Sequence, residues 1–436
     1  MKTNFLLVFG LITEMYISNG IAENSGEEVP QSVMLNLFPF NDSDKQYPHD
    51  TTQESSTESP SPLVSLHNFT EKINNFGFNL YRKIALQHDN NIFFSPLSLS
   101  FALAIFMLAS EGETHHQISQ SLNLSFMKEK DEQFLTLFQQ LRLNITQNEE
   151  FTLSQNSFFF IQEEFQIKDA FHNLSKQYFD MDFLTVDFRN STLAKKIVNE
   201  HIKKNTRGEI PTLFQAFDQH TKIILLNYIL FQGKWLHPFP PKFTELETFY
   251  IDNYRTVQVP MMFKKDRIAS MFDKALQCYV IKLPYKGSVQ MLIVLPVKGA
   301  DYMFVEDYLI NELVESWLQT MKIRKMDIYF PSFKLDQTYH MDQLLQDLGI
   351  KDLFSYKADL SHLTDHKFAK ISQILQRARV EVNEKGTEAA SVSGSEIMAY
   401  SLPYIMRINR PFIFMIYEEI TKILLFLGRV TNPTEL

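Results

Sequence analysis

Residues 384–403 read Glu384-Lys385-Gly386-Thr387-Glu388-Ala389-Ala390-Ser391-Val392-Ser393-Gly394-Ser395-Glu396-Ile397-Met398-Ala399-Tyr400-Ser401-Leu402-Pro403. This is a run of small residues between two strand-like segments. It exceeds the ~15 residues beyond which a connection is usually functional or disordered. Composition alone allows a flexible linker. Periodicity argues for more. From Thr387, alternate positions hold Thr387, Ala389, Ser391, Ser393, Ser395 and Ile397, all uncharged and small until Ile397. The other parity holds Glu388, Ala390, Val392, Gly394 and Glu396, so both charges fall on one side. Alternate residues of a strand face opposite sides of a sheet. The segment is therefore suited to enter a sheet with its uncharged face inward.

The sequence on either side is that of a mixed domain. After 384–403 come two apolar strands, Phe412–Tyr417 and Ile423–Val430, joined by a turn over Glu418–Lys422. Before it, continuous apolar or alternating runs predict strands at Ile223–Phe231, Val257–Met262, Ala275–Leu283, Val289–Pro296 and Met326–Phe333. Glu306–Met321 and Tyr339–Leu348 read as helices between them. Farther back, Phe69, Ile73, Phe76, Phe78, Leu80 and Ile84 make a helical apolar stripe. Ser95 and Pro96 then cap and open a second helix, whose Leu97–Leu108 stretch is apolar nearly all round. Helices first and strands mostly later give an α+β class with no clean domain break.

The chain has 436 residues, with Lys+Arg 42 against Asp+Glu 51, a net charge of −9. Without a basic block it is a poor nucleic-acid binder. Its single cysteine, Cys278, excludes an intramolecular disulfide and Cys-ligated zinc. Residues 1–22 read as a secretory signal: Lys2, an apolar run from Phe5 to Ile12, then small residues at Ser18, Gly20 and Ala22. That run is shorter than the ~20 residues that span a bilayer. Residues 23–64 hold eight acidic residues and one lysine, a net −7, and read as an acidic disordered tail. The remaining body, 65–436, is nearly neutral. Asn-x-Ser/Thr sequons at Asn41, Asn68, Asn123, Asn144, Asn173 and Asn190 fit a secreted glycoprotein.

Catalytic patterns are missing. There is no Gly-x-Ser-x-Gly elbow, phosphate loop or dinucleotide glycine pattern. His115-His116 are adjacent and so do not share a helix face. Asp336, His340 and Asp342 read as a polar helix start rather than a metal cluster. Cys278 sits in a strand pattern where a lone thiol is packing. The expectation is a protein that is not an enzyme and holds no metal.

Several stretches resemble the serpin family. They are Asn91–Ser98, Asn199–Phe214, Asn227–Trp235, Asn409–Phe412 and Phe426–Pro433, with 384–403 in the place of the hinge and reactive-centre loop. The resemblance runs from about residue 66 to the end. It implies an α+β serpin fold of three β-sheets with about nine helices and an exposed loop. It also implies a hinge at Glu384, Gly386, Thr387, Glu388, Ala389, Ala390 and Ser391, and a cleaved bond at the seventeenth loop residue, Tyr400–Ser401. The implied activity is serine-protease inhibition in a single turnover. The protease acylates Tyr400, and the loop then inserts as a new central strand and traps it. A non-inhibitory carrier serpin is the alternative. Where many serpins have a shutter histidine, this chain has Gln376, whose amide can still bridge strands.

Tyr400 by itself suits a chymotrypsin-like apolar slot. The acidic tail, Tyr400-Ser401, Trp235–Phe239 and Val259–Met262 resemble a plasma branch of the family instead. That branch regulates coagulation by inhibiting factor Xa with protein Z, calcium and phospholipid, and factor XIa without protein Z. It implies protein Z contacts at Leu86, Asp89, Asp252, Asn253, Tyr254 and Asp307, with Leu86 and Asn253 departing from the branch's pattern. Calcium, phospholipid and the membrane would act only through the partners. Heparin contacts are implied at Lys128, Lys130 and Arg142, diluted by Glu129, Asp131 and Glu132.

Overall fold

Ser95 and Pro96 begin the helix on which the rest is built. The Ser95 hydroxyl accepts from the Ser98 N–H, and Pro96 occupies the first turn. Every residue of Pro96–Ala109 except Leu108 is buried, as an all-apolar helix requires. The structure, a computed structural model, describes residues 65–125, 131–146, 150–385 and 404–436.

In chain order the elements begin with α1 (Leu66–Ala85), β1 (Ile92–Phe94), α2 (Pro96–Ala109), α3 (Gly112–Ser121) and α4 (Asp131–Thr146). Next come β2 (Phe151–Gln162), α5 (Asp169–Phe179), β3 (Asp182–Val186), α6 (Ser191–Asn205), β4 (Ile223–Gly233), β5 (Glu245–Tyr250) and β6 (Thr256–Asp273). The chain continues through β7 (Cys278–Pro284), β8 (Val289–Pro296), α7 (Tyr302–Asp307), α8 (Asn311–Thr320), β9 (Lys322–Pro331) and β10 (Phe333–His340). It closes with α9 (Asp342–Asp347), β11 (Gln373–Val382), β12 (Tyr404–Arg407), β13 (Phe412–Glu418) and β14 (Leu424–Val430).

One sheet has five strands in the order β10-β11-β4-β2-β3. The other two expected sheets are continuous, because the 18-residue β6 pairs with β5 and β9 along one part and with β7 at its end. This larger network runs β1-β14-β13-β8-β7-β6-β9-β12, with β5 on β6. Helix α2 packs on both β4 and β14, so the main core lies between the two sheets. Helix α6 covers the other face of the five-stranded sheet, setting Ala194, Val198 and Ile202 against Phe158, Phe160, Leu226 and Leu375.

Three segments differ from their sequence patterns. The strand expected at Met326–Phe333 is two, β9 and β10, broken at Ser332 where the chain changes partners from β6 to β11. Ser332 N–H donates to Pro260 O and its hydroxyl to Val382 O, which fixes the break. The helix expected from Tyr339 starts only at Asp342. Through His340 the backbone pairs with β11, and Asp336 makes a bidentate bond with Arg377. Asp336 and His340 are therefore strand residues, not a helix start. Glu306–Met321 is two helices, because Ile310 is extended and Asn311 N–H is taken by Asn75 Oδ1.

Cys278 is fully buried in β7, and burial pushes its thiol up to about 12. At pH 8 only about one molecule in 10⁴ would carry the thiolate. The native protein should leave DTNB unreacted while free cysteine reacts to completion, and urea should release one thiol. Rapid native labelling would show that this packing is wrong.

Candidate functional site

The strand that feeds the 386–403 segment, β11, is an inner strand of the five-stranded sheet, between the edge strand β10 and the central β4. β11 pairs antiparallel with β10 but parallel with β4, over eight register pairs from Gln373↔Ile224 to Val380↔Phe231. β4 is in turn antiparallel to β2. A strand folding back from the end of β11 would run opposite to both β11 and β4. The parallel junction is thus the one place in this sheet where the returning chain could make two antiparallel ladders at once.

Two contacts hold the top of the junction closed. Trp235, just beyond β4, is buried and stacked on Tyr285 at 4.2 Å between ring centroids, and its Nε1–H donates to Asn383 O at 2.9 Å. Phe239 N–H donates to Glu384 O at 3.1 Å. The packing is tight at Gly233, where a Cβ would lie 2.5 Å from the Phe231 ring and 2.7 Å from Tyr285. Parting β4 from β11 must begin by releasing these bonds.

A polar row crosses the sheet lower down. Tyr339, Gln376, Asn227 and Ser157 are aligned on β10, β11, β4 and β2. The Gln376 side chain is fully buried. Its Nε2 donates to Ser95 O (2.8 Å) and Ser98 Oγ (2.9 Å), and its Oε1 accepts from Ser95 N–H (3.0 Å). Asn227 Nδ2 donates to Ser98 O and to Ser157 Oγ. So Gln376 ties β11 to the first turn of α2 and does not bridge strands, the role its sequence position suggests. On the outer face Arg377 pairs with Asp336, and Arg379 with Glu209 in the turn after α6. Among the described residues no cluster of acidic residues, histidine and cysteine has the geometry of a metal site.

Of the hinge residues, Glu384 is described; Gly386, Thr387, Glu388, Ala389, Ala390 and Ser391 lie outside the described residues, as do Tyr400 and Ser401. The chain is described again at Tyr404, where β12 pairs with the edge of β9. Lys128, Lys130 and Asn41 also lie outside; Arg142 is half-buried on α4. The sequon side chains Asn68, Asn123, Asn144, Asn173 and Asn190 are all exposed. Asn190 caps α6 through its Oδ1, which accepts from Leu193 N–H.

The six residues expected to meet protein Z are all exposed: Leu86 ends α1, Asp89 follows it, Asp307 ends α7, and Asp252, Asn253 and Tyr254 form the β5–β6 turn. Asp252 shapes that turn by accepting from Tyr254 N–H, Arg255 N–H and Arg255 Nε, and these bonds hold its carboxyl below the usual range. A cleft of about 590 Å³ separates Asp252 and Asn253 from Asp301 and Tyr302 at the start of α7, with Arg410 and Lys298 in its lining. Burial is the main cause that pushes the Tyr302 hydroxyl up, and the Asp89 carboxylate adds to it, which places Asp89 near the start of α7.

The family profile of "Serpin (serine protease inhibitor)" matches residues 71–433. The chain is a serpin. Over 374 residues it is 48% identical to human protein Z-dependent protease inhibitor, covering 85% of this chain and 84% of the relative. The crystal structure of the mouse protein Z-dependent protease inhibitor superposes with a TM-score of 0.80 at 46% identity, covering 85% of this chain and 98% of the other. Human thyroxine-binding globulin bound to its hormone gives a TM-score of 0.79 at 32% identity, covering 85% and 100%. The expected serpin fold is thus found, in a family named for inhibiting proteases rather than for being proteases.

Sequence reasoning missed how Ser95, Ser98, Asn227 and Trp235 cooperate in this serpin. A signal existed: Asn227 and Ser98 are polar residues inside apolar runs, which a buried hydrogen-bond network explains. Gln376→Leu would strand Ser95 N–H in the core and leave Ser98 Oγ only its 3.4 Å bond to Ser95 O. It should lower the stability of the uncleaved protein by about 3 kcal/mol, read from the first urea transition. A loss under about 0.5 kcal/mol would show that the row does not hold the sheet shut.

Proposed function

We propose that this serpin is a secreted plasma glycoprotein that inhibits serine proteases of blood coagulation by inserting its reactive loop between β4 and β11. The observation that carries the reading is the parallel β4–β11 junction, followed directly by a segment with small uncharged residues on one parity. A two-residue turn at Glu384-Lys385 would set Thr387 opposite Val382, Ala389 opposite Val380, Ser391 opposite Ala378 and Ser393 opposite Gln376. Those β11 residues all face the buried core. The charged parity, with Glu388 and Glu396, falls on the opposite face.

The chemistry follows from that register. The protease serine attacks the Tyr400 carbonyl, and Ser401 leaves as the new amine. While the acyl bond persists, the freed loop enters the sheet and carries the protease with it. Inserting the strand breaks one parallel ladder and forms two antiparallel ones, a gain available only after Tyr400–Ser401 is cut. The distorted protease cannot complete hydrolysis.

As for targets, the likeness to protein Z-dependent protease inhibitors supports factor Xa with protein Z, calcium and phospholipid, and factor XIa without protein Z. An aromatic Tyr400 fits a factor Xa pocket poorly. Holding inhibitor and protease on one membrane through protein Z offsets this by raising effective concentration. Leu86, Asp89, Asp252, Asn253, Tyr254 and Asp307 would form the protein Z face. Heparin would bind around Lys128, Lys130 and Arg142.

The test mixes the protein with factor Xa or factor XIa, with and without protein Z, calcium and anionic vesicles. The expected products are SDS-resistant complexes, dependent on all three additions for factor Xa, and a released peptide beginning at Ser401. Thr387→Arg drives a guanidinium toward a buried face and should cut complex yield by about tenfold, leaving cleaved chain and active protease. Wild-type complex yield from Thr387→Arg would refute the parity argument. A chain that is cleaved without gaining heat stability would point to a carrier.

A further inference from the structure

Below the surface that carries Asp89 and Asp307 lies one buried cation. Arg429 of β14 is 1% exposed. Its Nη1 donates to both oxygens of Glu306, at 3.0 and 2.9 Å. Its Nε donates to Asn90 O at 3.2 Å and its Nη2 to His88 O. Tyr81 OH completes the cluster by donating to Glu306 Oε1 at 2.5 Å, and the Tyr302 ring lies 5.3 Å from the guanidinium carbon.

The bonded partners flank the exposed acids. His88 and Asn90 sit on either side of Asp89, and Glu306 directly precedes Asp307. Asn91 strengthens the hold on the first loop. Its Nδ2 donates to Asn432 O and Glu435 O, and its Oδ1 accepts from Thr431 and Asn432 N–H. Among the described residues neither Asp89 nor Asp307 joins an ion pair. Arg82, the cation that feels Asp307, gives its Nη1 to Leu309 O instead.

Stability alone explains this arrangement badly. A buried ion pair contributes little net stability compared with apolar side chains of the same volume. Here it also leaves the unpaired Asp307 carboxylate next to the buried Glu306 carboxylate, which it repels. What the cluster does secure is geometry. One planar guanidinium fixes the loop after α1 and the end of α7 relative to each other.

We propose that Arg429, with Glu306 and Tyr81, is a positioning cluster for partner recognition, fixing Asp89 and Asp307 at the spacing read by two cationic side chains of the partner protein. The proposal rests on the reading that this face takes protein Z. Preorganised carboxylates lose little entropy on docking, so loosening them weakens binding without touching the protease trap.

The experiment measures protein Z affinity by surface plasmon resonance for the intact protein and for Glu306→Leu/Arg429→Met, which exchanges the pair for apolar side chains. Glu306→Gln serves as a milder variant should the double one fold poorly. We expect affinity to fall about tenfold while factor XIa inhibition without protein Z stays within twofold. The decisive readout is coupling. In the intact background Asp89→Ala should cost about tenfold in affinity, and in the variant background less than about threefold. If Asp89→Ala and Asp307→Ala weaken binding but the cluster variants bind normally, or if the losses simply multiply, the proposal falls and the protein Z face stands. If Asp89→Ala and Asp307→Ala leave affinity unchanged, the face itself is misassigned and the proposal falls with it.

Discussion

The eight-pair ladder between β4 and β11 is the constraint from which the rest follows. Both strands run the same way, with no strand between them, in a sheet where each is antiparallel to its other neighbour. Parallel pairing is slightly weaker per residue, and it leaves room in the topology for one reversed strand that would improve both sides. On the proposed mechanism the sheet is stable, yet it is not the best sheet this chain can build. Its persistence depends on what holds the junction shut: Trp235 and Phe239 on the backbone of 383–384, and Gln376 and Asn227 on the first turn of α2. Each is a short-range polar contact in an apolar setting. Such contacts add little net stability when made and cost much when orphaned, which suits a barrier more than a well.

A second surface is separable from this device. Leu86, Asp89, Asp307 and the Asp252–Tyr254 turn lie on loops and helix ends carried by the larger sheet network and α1. Their positions derive from β14, β5 and β6, none of which belongs to the five-stranded sheet. On the proposed reading, a cofactor docked there would change how often a protease meets the loop while leaving the β4–β11 junction as it was. That division would fit the proposed primary residue, Tyr400, which by itself suits a different class of protease.

Much of this was legible in the residues, and the gaps have physical causes. The run Ile223–Phe231 reads as a strand buried on both faces, and it lies between α2 and α6. Ser95-Pro96 marks the start of α2 to the residue. β2 escaped notice because its first half, Phe151–Ser157, mixes polar residues that are only half-buried. The Met326–Phe333 and Tyr339–Leu348 patterns misled because tertiary pairing overrode local periodicity: β10 is a strand by virtue of lying against β11. Gln376 was identified as a hydrogen-bonding replacement, but its partner could not be. A sequence does not show that Ser95 and Ser98, nearly three hundred positions earlier, sit beneath it. The buried Arg429–Glu306 pair escaped for the same reason, since its members are distant in sequence and look like ordinary surface charges.

The central claim is that β4 and β11 must part for the protein to act, and a reversible staple across them tests it directly. Ala378 and Ile229 are register partners on the core-facing side, so Ala378→Cys with Ile229→Cys places two thiols within disulfide reach. The buried Cys278 should not compete. With the staple oxidised, the protein should be cut by its target protease without forming SDS-resistant complexes, and reduction should restore complex formation. An oxidised, stapled protein that still traps protease at the reduced protein's stoichiometry would contradict the account.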